Sequence, residues 1–252
     1  MYHSVQRVSP KEPMRSLHVN PKSFLRQMWI LKTLGYEGCT VSQAIDAFKC
    51  GSTSKLVALT FDDAYENFYS TALPILQRFN FQATVYAVSN LIGQSNQWDL
   101  NNGISLNKLM NLNQLNFCHD QGIEIGCHTA THKSLINDNT PDSEMWGSAV
   151  IGIKHSNNEI LSEAFDLFCC LSPLVAGVNV KAFCYPYGHT NDEVLTQVKK
   201  AGFTSATTMI RSRATNSDDP LLLPRIPITW HTLPHLFLTK ILSKYEDKRR
   251  FA

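Results

Sequence analysis

Apolar residues recur along this chain in two rhythms. In "NPKSFLRQMWILKTLGYEG", Phe24, Met28, Leu31 and Leu34 fall on one helical face. Asn20 suits the N-cap, Pro21 the first turn and Gly35 the stop. "NFYSTALPILQRFN" also reads as helix, with Pro74 at a kink or a fresh start. Further helices are expected over "SLNKLMNLNQLNFCHDQG", most of Asp142 to Cys170, "NDEVLTQVKKAG" and "LPHLFLTKILSKY". The second rhythm is the short β-branched run: "KLVALTF", "FQATVYAVS", "IEIGCH", "VKAFCYP", "FTSATTM" and "PRIPIT". Strand and helix alternate almost throughout, which predicts an α/β fold with a mainly parallel sheet, open or closed into a barrel. No repeat or linker divides the 252 residues, so one domain is expected over 1–252.

Three of these strands end in reactive residues. "KLVALTF" runs into Asp62-Asp63, "IEIGCH" into His128 and His132, and "VKAFCYP" into the turn "YPYG". In parallel α/β folds ligands collect at the carboxyl ends of the strands, so the three ends make one site. Two imidazoles four residues apart with one carboxylate form a partial shell for zinc or a similar divalent ion. Such a shell leaves a position for water, whose pKa the ion lowers. The two acids then divide their work: one holds the cation, which offsets the repulsion of the pair, and the other serves as general base. The plainer alternatives are a chance HxxxH among nine histidines and an Asp63 that only caps a helix. In "YPYG", Gly188 allows a tight turn whose N–H groups face a developing oxyanion, or the stretch is only a turn.

Composition narrows the partners. With 43% hydrophobic residues the chain is no disordered segment, and a net charge of +2 gives no reason to expect a nucleic-acid partner. Cysteines at 39, 50, 118, 127, 169, 170 and 184 form no CxxC pair, which favours reduced thiols. No apolar run reaches the length of a membrane span. "MYHSVQRVSPKEPMRS" lacks an apolar signal-peptide core, which points to the cytoplasm if "MYH" is the true start. The basic "KYEDKRRFA" is expected as a solvated helix end, with contact to an anionic membrane surface as the alternative. The sequence carries no sign of oligomeric state.

These motifs resemble those of the polysaccharide deacetylases of the NodB-homology type, carbohydrate esterase family 4. "TFDDAY" is similar to the first family motif, "HTATHKSL" matches the second, and "YPYG" resembles the third. "YHSV", "ALPILQRFNFQATVYAV" and "LPRI" resemble the branch acting on poly-N-acetylglucosamine-like polymers. The resemblance implies a distorted (β/α)7 barrel and one divalent ion, zinc first and cobalt, nickel or iron next, held by Asp63, His128 and His132. It implies Asp62 as catalytic base and the Tyr187 N–H at the oxyanion. The implied reaction is hydrolysis of a carbon–nitrogen bond outside a peptide, removing N-acetyl groups from an amino-sugar glycan.

Four departures bear on that picture. Ala64 replaces the usual Gly, which is tolerable at negative φ. Cys184 replaces the motif Arg that normally tethers the base; Arg225 is a substitute, or only a partner in a strand-end salt bridge. No true match to the last motif exists, so the general acid is assigned to His231 of "IPITWHTL", with His3 of "MYH" as the other imidazole within reach. The apolar strand that usually precedes "YH" is missing, leaving the barrel open at that seam or closed by other means. Tyr65, Trp98, Tyr185 and Trp230 are candidate sugar-stacking faces, Trp230 the favoured one. The alternatives to a polymer deacetylase are a deacylase of a small or lipid-linked amide or ester, and a glycan-binding protein of faded activity.

Overall fold

The structure is a computed structural model that describes residues 1–102, 104–136 and 179–250. The helix expected from Asp142 to Cys170 lies outside the described residues, as do Cys169 and Cys170. Ten strands and six α-helices are described. Helix α1 (Pro21–Thr33) begins as its sequence demands: the Asn20 side chain accepts from the Lys22 N–H at 2.9 Å, and Phe24, Met28 and Leu31 are buried. Ahead of it, β1 (Ser4–Val5) pairs in parallel with β2 (His18–Val19). Strand β3 (Glu37–Cys39) and helix α2 (Val41–Lys49) follow. The sequence reading missed this helix, although Thr40 and Gln43 form a capping box at its start.

"KLVALTF" divides between two sheets. Its first half, β4 (Leu56–Ala58), pairs with β3, and its second, β5 (Thr60–Phe61), pairs with β6 (Thr84–Ala87). Between β5 and β6, residues Phe68–Ala72 form a π-turn that runs into α3 (Leu73–Arg78), with Pro74 in its first turn. Pro74 has no N–H and its ring crowds the carbonyl four residues back, so the backbone widens there. Helix α4 (Leu112–Asp120) is shorter than expected, because Asn111 and Gln114 form a capping box and start it there. Residues 105–110 instead run extended against 94–96, with Ser95 and Lys108 bridged antiparallel.

The main sheet has the order β10-β9-β8-β7-β6-β5 and every pair is parallel. Its other members are β7 (Glu124–Cys127), β8 (Ala182–Cys184), β9 (Ser205–Arg211) and β10 (Leu223–Arg225). Helix α5 (Asp192–Lys200) connects β8 to β9, and α6 (Pro234–Leu242) follows β10. Of the two possibilities for the seam, open or closed by other means, the second is found: the first residues of the chain close it. The Tyr2 N–H donates to the Thr60 carbonyl at 2.8 Å and the Asp62 N–H to that of Tyr2 at 3.0 Å. On the other side the Met1 nitrogen donates to the Ile226 carbonyl at 2.9 Å and the Ile228 N–H to that of Met1 at 3.0 Å. This segment and the six strands complete the distorted (β/α)7 barrel.

Strand alternation sorts the barrel into an apolar outside and a polar inside. Phe61, Val85, Ile125, Phe183 and Ala206 face outward into the core beneath the helices. Tyr86, Ala182 and Cys184 pack together inside, apart from that core. Gly126 makes room for the Tyr86 ring: a Cβ there would lie 2.5 Å from Tyr86 Cδ1. At the amino end Glu124 accepts from Thr84 Oγ1 at 2.6 Å, from Ser42 Oγ and from the Ser42 N–H in the first turn of α2, where the helix dipole favours an anion.

In the basic C-terminal stretch Lys244, Lys248 and Arg249 are exposed, as a solvated end requires, but the acids between them are not. Glu246 is fully buried, pairs with Lys240 of α6 and accepts from Arg211 Nε at 2.9 Å, while Asp247 accepts from Arg213. These ion pairs fold the segment back against the end of β9. No helix among the described residues is long and apolar enough to cross a membrane.

Candidate active site

The residues singled out at the strand ends meet at the carboxyl end of the barrel. Asp62 and Asp63 follow β5, His128 and His132 follow β7, and the Pro186–Gly188 turn follows β8. Asp62, Asp63, His128 and His132 are all buried. His128 Nε2 lies 3.4 Å and His132 Nε2 3.2 Å from the same oxygen, Asp63 Oδ1.

Unusual backbone angles produce this convergence. Asp63 has φ 70°, Ala64 54°, Thr129 64°, His132 63° and Tyr187 59°. Five of the seven non-glycine residues with positive φ among the described residues therefore lie in these three loops. Each costs an L-residue energy that surrounding contacts must offset, a pattern typical of functional sites. Ala64 departs from expectation here: its φ is positive, in the conformation that suits glycine. Gly188, at φ 73°, is required twice over, since a Cβ would meet Met209 Cβ at 2.4 Å.

Asp62 and Asp63 have separate environments. Asp62 is bound at two points by Arg225, with Nη1–Oδ1 2.6 Å and Nη2–Oδ2 2.8 Å. Arg225 also donates from Nε to the Thr208 carbonyl at 2.8 Å, and its Nη2 lies 3.3 Å from Cys184 Sγ. The guanidinium thus enters from β10 and tethers the acid beside Cys184. Burial alone would raise the Asp62 carboxyl; the Arg225 charge outweighs it and holds the group below its ordinary value. On Asp63 burial again works upward, and the two imidazoles beside it outweigh that and hold the carboxyl well below its ordinary range.

Three ligand atoms, one each from Asp63, His128 and His132, lie within 4.8 Å of one another. They suit a divalent ion on two counts. Among the described residues the buried Asp63 Oδ1 has no hydrogen-bond donor of suitable geometry, although both Nε2 atoms lie beside it. The far nitrogen of His128, Nδ1, lies 2.8 Å from the Cys184 carbonyl oxygen, which fixes the tautomer that leaves Nε2 as a lone-pair donor. A second grouping, Asp62, His128 and Cys184, also has ligand atoms this close. It fits less well, because Arg225 occupies both oxygens of Asp62.

The other candidates divide. The half-exposed Tyr187 ring packs edge-on against His132, with centroids 4.9 Å apart. His231 is not brought to the cluster: it is exposed on the turn before α6, and among the described residues no contact joins it to Asp62 or Asp63. The imidazole at Asp62 belongs to His3, whose Nε2 lies 3.9 Å from Asp62 Oδ2. Alternation on the closing segment decides this, turning Tyr2 outward onto Phe61 and His3 inward. Burial lowers the His3 pKa, and Asp62 and Asp63 oppose the shift.

Of the aromatic residues, Tyr185 is a core residue whose hydroxyl donates to the Leu221 carbonyl, and Tyr65 is buried beside Asp63. The Trp230 ring is covered by the Arg15 guanidinium at 3.7 Å. Trp98, one of the candidate sugar-stacking faces, stacks instead on His132, with ring centroids 4.4 Å apart.

The sequence profile of the polysaccharide deacetylases matches residues 51–206. Poly-beta-1,6-N-acetyl-D-glucosamine N-deacetylase of Staphylococcus aureus is 25% identical over 232 residues, 90% of this chain and 73% of that protein. Among solved structures, Streptococcus pyogenes deacetylase PplD in complex with acetate aligns with a TM-score of 0.74 and 26% identity over 95% of each chain. IcaB from Ammonifex degensii shares the fold, with a TM-score of 0.73 at 20% identity over 95% of this chain and 94% of that one.

Proposed function

This chain belongs to the polysaccharide deacetylase family, and on that premise we propose that it is a metal-dependent hydrolase removing N-acetyl groups from an amino-sugar glycan of the poly-N-acetylglucosamine kind. The observation that carries the reading is the asymmetry of the two acids: Asp63 faces two imidazole nitrogens while Asp62 is held away on Arg225. Asp63, His128 and His132 would hold one divalent ion, zinc being the first candidate for a site of one carboxylate and two imidazoles. When bound, such an ion polarises an amide carbonyl and lowers the pKa of water.

The remaining work falls to the chain itself. Asp62, kept ionised by Arg225, takes a proton from the attacking water. The water oxygen bonds to the acetyl carbon, and the Tyr187 N–H donates to the oxyanion that develops. His3, within reach of the same space, gives a proton to the nitrogen as the C–N bond breaks; acetate and a free amine leave. The whole of 1–252 is read as one catalytic domain of this type. The relative from Staphylococcus aureus, named for a poly-β-1,6-linked substrate, supports the polymer over a small amide.

Bound metal and acetate release from N-acetylglucosamine oligomers test this together. Wild type is expected to hold one ion and release acetate, Asp62→Asn to keep the ion without activity, and Asp63→Asn to lose both. Metal without acetate release on glycan, small-amide and ester substrates alike would sink the enzymatic reading.

A further inference from the structure

The two proposed imidazole ligands are supported differently. His128 has an acceptor for its far nitrogen, the Cys184 carbonyl at 2.8 Å. Among the described residues His132 has none: its Nδ1 is buried and without a hydrogen-bond partner there. The backbone of His132 is held by its N–H, which donates to Thr129 Oγ1 at 2.9 Å, but its φ of 63° is one that few L-residues adopt. Its ring is instead sandwiched by aromatic groups. The Trp98 indole lies face to face with it at 4.4 Å and 18°, and Tyr187 meets it edge-on.

Trp98 is delivered by a braced hairpin. The Gly93 N–H donates to the Met110 carbonyl at 2.9 Å and that of Leu109 to Gln94 at 2.9 Å. Asn96 is fully buried at the base of the turn; its amide donates to Asp99 Oδ2 at 2.8 Å and accepts from the Asn107 N–H at 2.6 Å. The returning arm is bonded to the loop that carries the acids, through Met110 N–H to the Ala64 carbonyl at 2.8 Å and Glu66 N–H to that of Lys108 at 2.9 Å. One unit therefore sets the positions of both Asp63 and the plane against which His132 rests.

We propose that Trp98 is a positioning residue for His132, its indole face fixing the ring plane that a hydrogen bond to Nδ1 would otherwise fix. The proposal rests on the metal site read above. A stack restrains tilt and leaves rotation within the plane to the ligand bond itself, so loss of the indole lets the imidazole leave the plane that points Nε2 at Asp63. Loss of an outer partner of a metal ligand typically weakens affinity about 10- to 100-fold.

The test is zinc affinity of the full chain by competition with a chromophoric chelator, with the visible spectrum of the cobalt form as a reading of ligand geometry. Trp98→Ala is expected to weaken zinc binding about tenfold or more and to change the cobalt spectrum, while the metal-free melting temperature moves little. Trp98→Phe, which restores a flat face, should recover most of the affinity, and Trp29→Ala, on the exposed face of α1, should match wild type. Wild-type affinity and spectrum in Trp98→Ala would overturn the inference, as would a Trp98→Phe variant no better than Ala. Failure of the wild type to bind zinc or cobalt at all would remove the metal reading itself, and this inference with it.

Discussion

Arg225 grips Asp62 through two parallel hydrogen bonds, from a strand 163 residues away in sequence. Both side chains are buried, so neither charge has water to fall back on. Breaking such a pair costs about 3–5 kcal/mol, because the remaining charge is left uncompensated. Arg225→Met should therefore lower stability by about that amount, and adding Asp62→Asn should recover much of it. The pH dependence changes too. With its carboxyl below the ordinary 3.8 in the fold, Asp62 contributes stability that is present above that value and is lost as pH falls through the folded value. Without Arg225, burial raises the carboxyl, so this contribution should change sign. Denaturant melts across the acid range, wild type against Arg225→Met, read both effects; equal curves would contradict them.

His3 and His231 make opposite predictions. His3→Gln should reduce turnover about 100-fold or more with zinc affinity unchanged, the size expected for a lost general acid. His231→Gln should behave as wild type, since the residue is exposed on the turn before α6. Steady-state acetate release with metal analysis on both variants decides between them.

Removing the ion should be felt as lost stability. A ligand that binds only the folded state stabilises it by about 2.7 kcal/mol at 100 times its Kd. Chelator treatment should lower the melting temperature and abolish acetate release, and added zinc should restore both. His128→Ala should show no zinc-dependent shift. A shift of wild-type size in that variant would mean the ligands lie elsewhere.

Ala64 is an opportunity for stabilisation. Its φ of 54° costs an L-residue about 1–2 kcal/mol, against about 0.5–1 kcal/mol for the extra chain entropy of glycine. Ala64→Gly should gain about 0.5–1 kcal/mol on that difference, with the ion still bound. Chemical denaturation gives the sign directly.

The thiols should separate by burial. Cys50 is exposed, whereas Cys39, Cys118, Cys127 and Cys184 are buried. Burial pushes the Cys39 and Cys118 thiols up to about 12, so little reactive thiolate forms at neutral pH. Peptide mapping after iodoacetamide treatment of the native protein should find Cys50 modified and these four protected until the chain is unfolded.

The sequence by itself determined the parallel α/β alternation, the caps of α1 and the identity of Asp62, Asp63, His128 and His132. Each is a local matter: a hydrophobic period, a side chain within one turn of its partner, or acids and imidazoles placed where a strand ends. The start of α4 was misplaced, because the apolar period continues upstream of the capping box that Asn111 and Gln114 form. What lay beyond the sequence alone were the contacts made when distant segments come together. Met1 and Tyr2 close the barrel and Trp98 reaches His132. The choices left open, between a tether and a plain salt bridge for Arg225 and between His231 and His3, fall to Asp62 being met by Arg225 and His3. All of these contacts join residues far apart in the chain. Strand periodicity says that alternate residues face opposite sides, but not which side is the interior of the barrel. Only ring closure decides that, and with it which imidazole and which guanidinium meet Asp62.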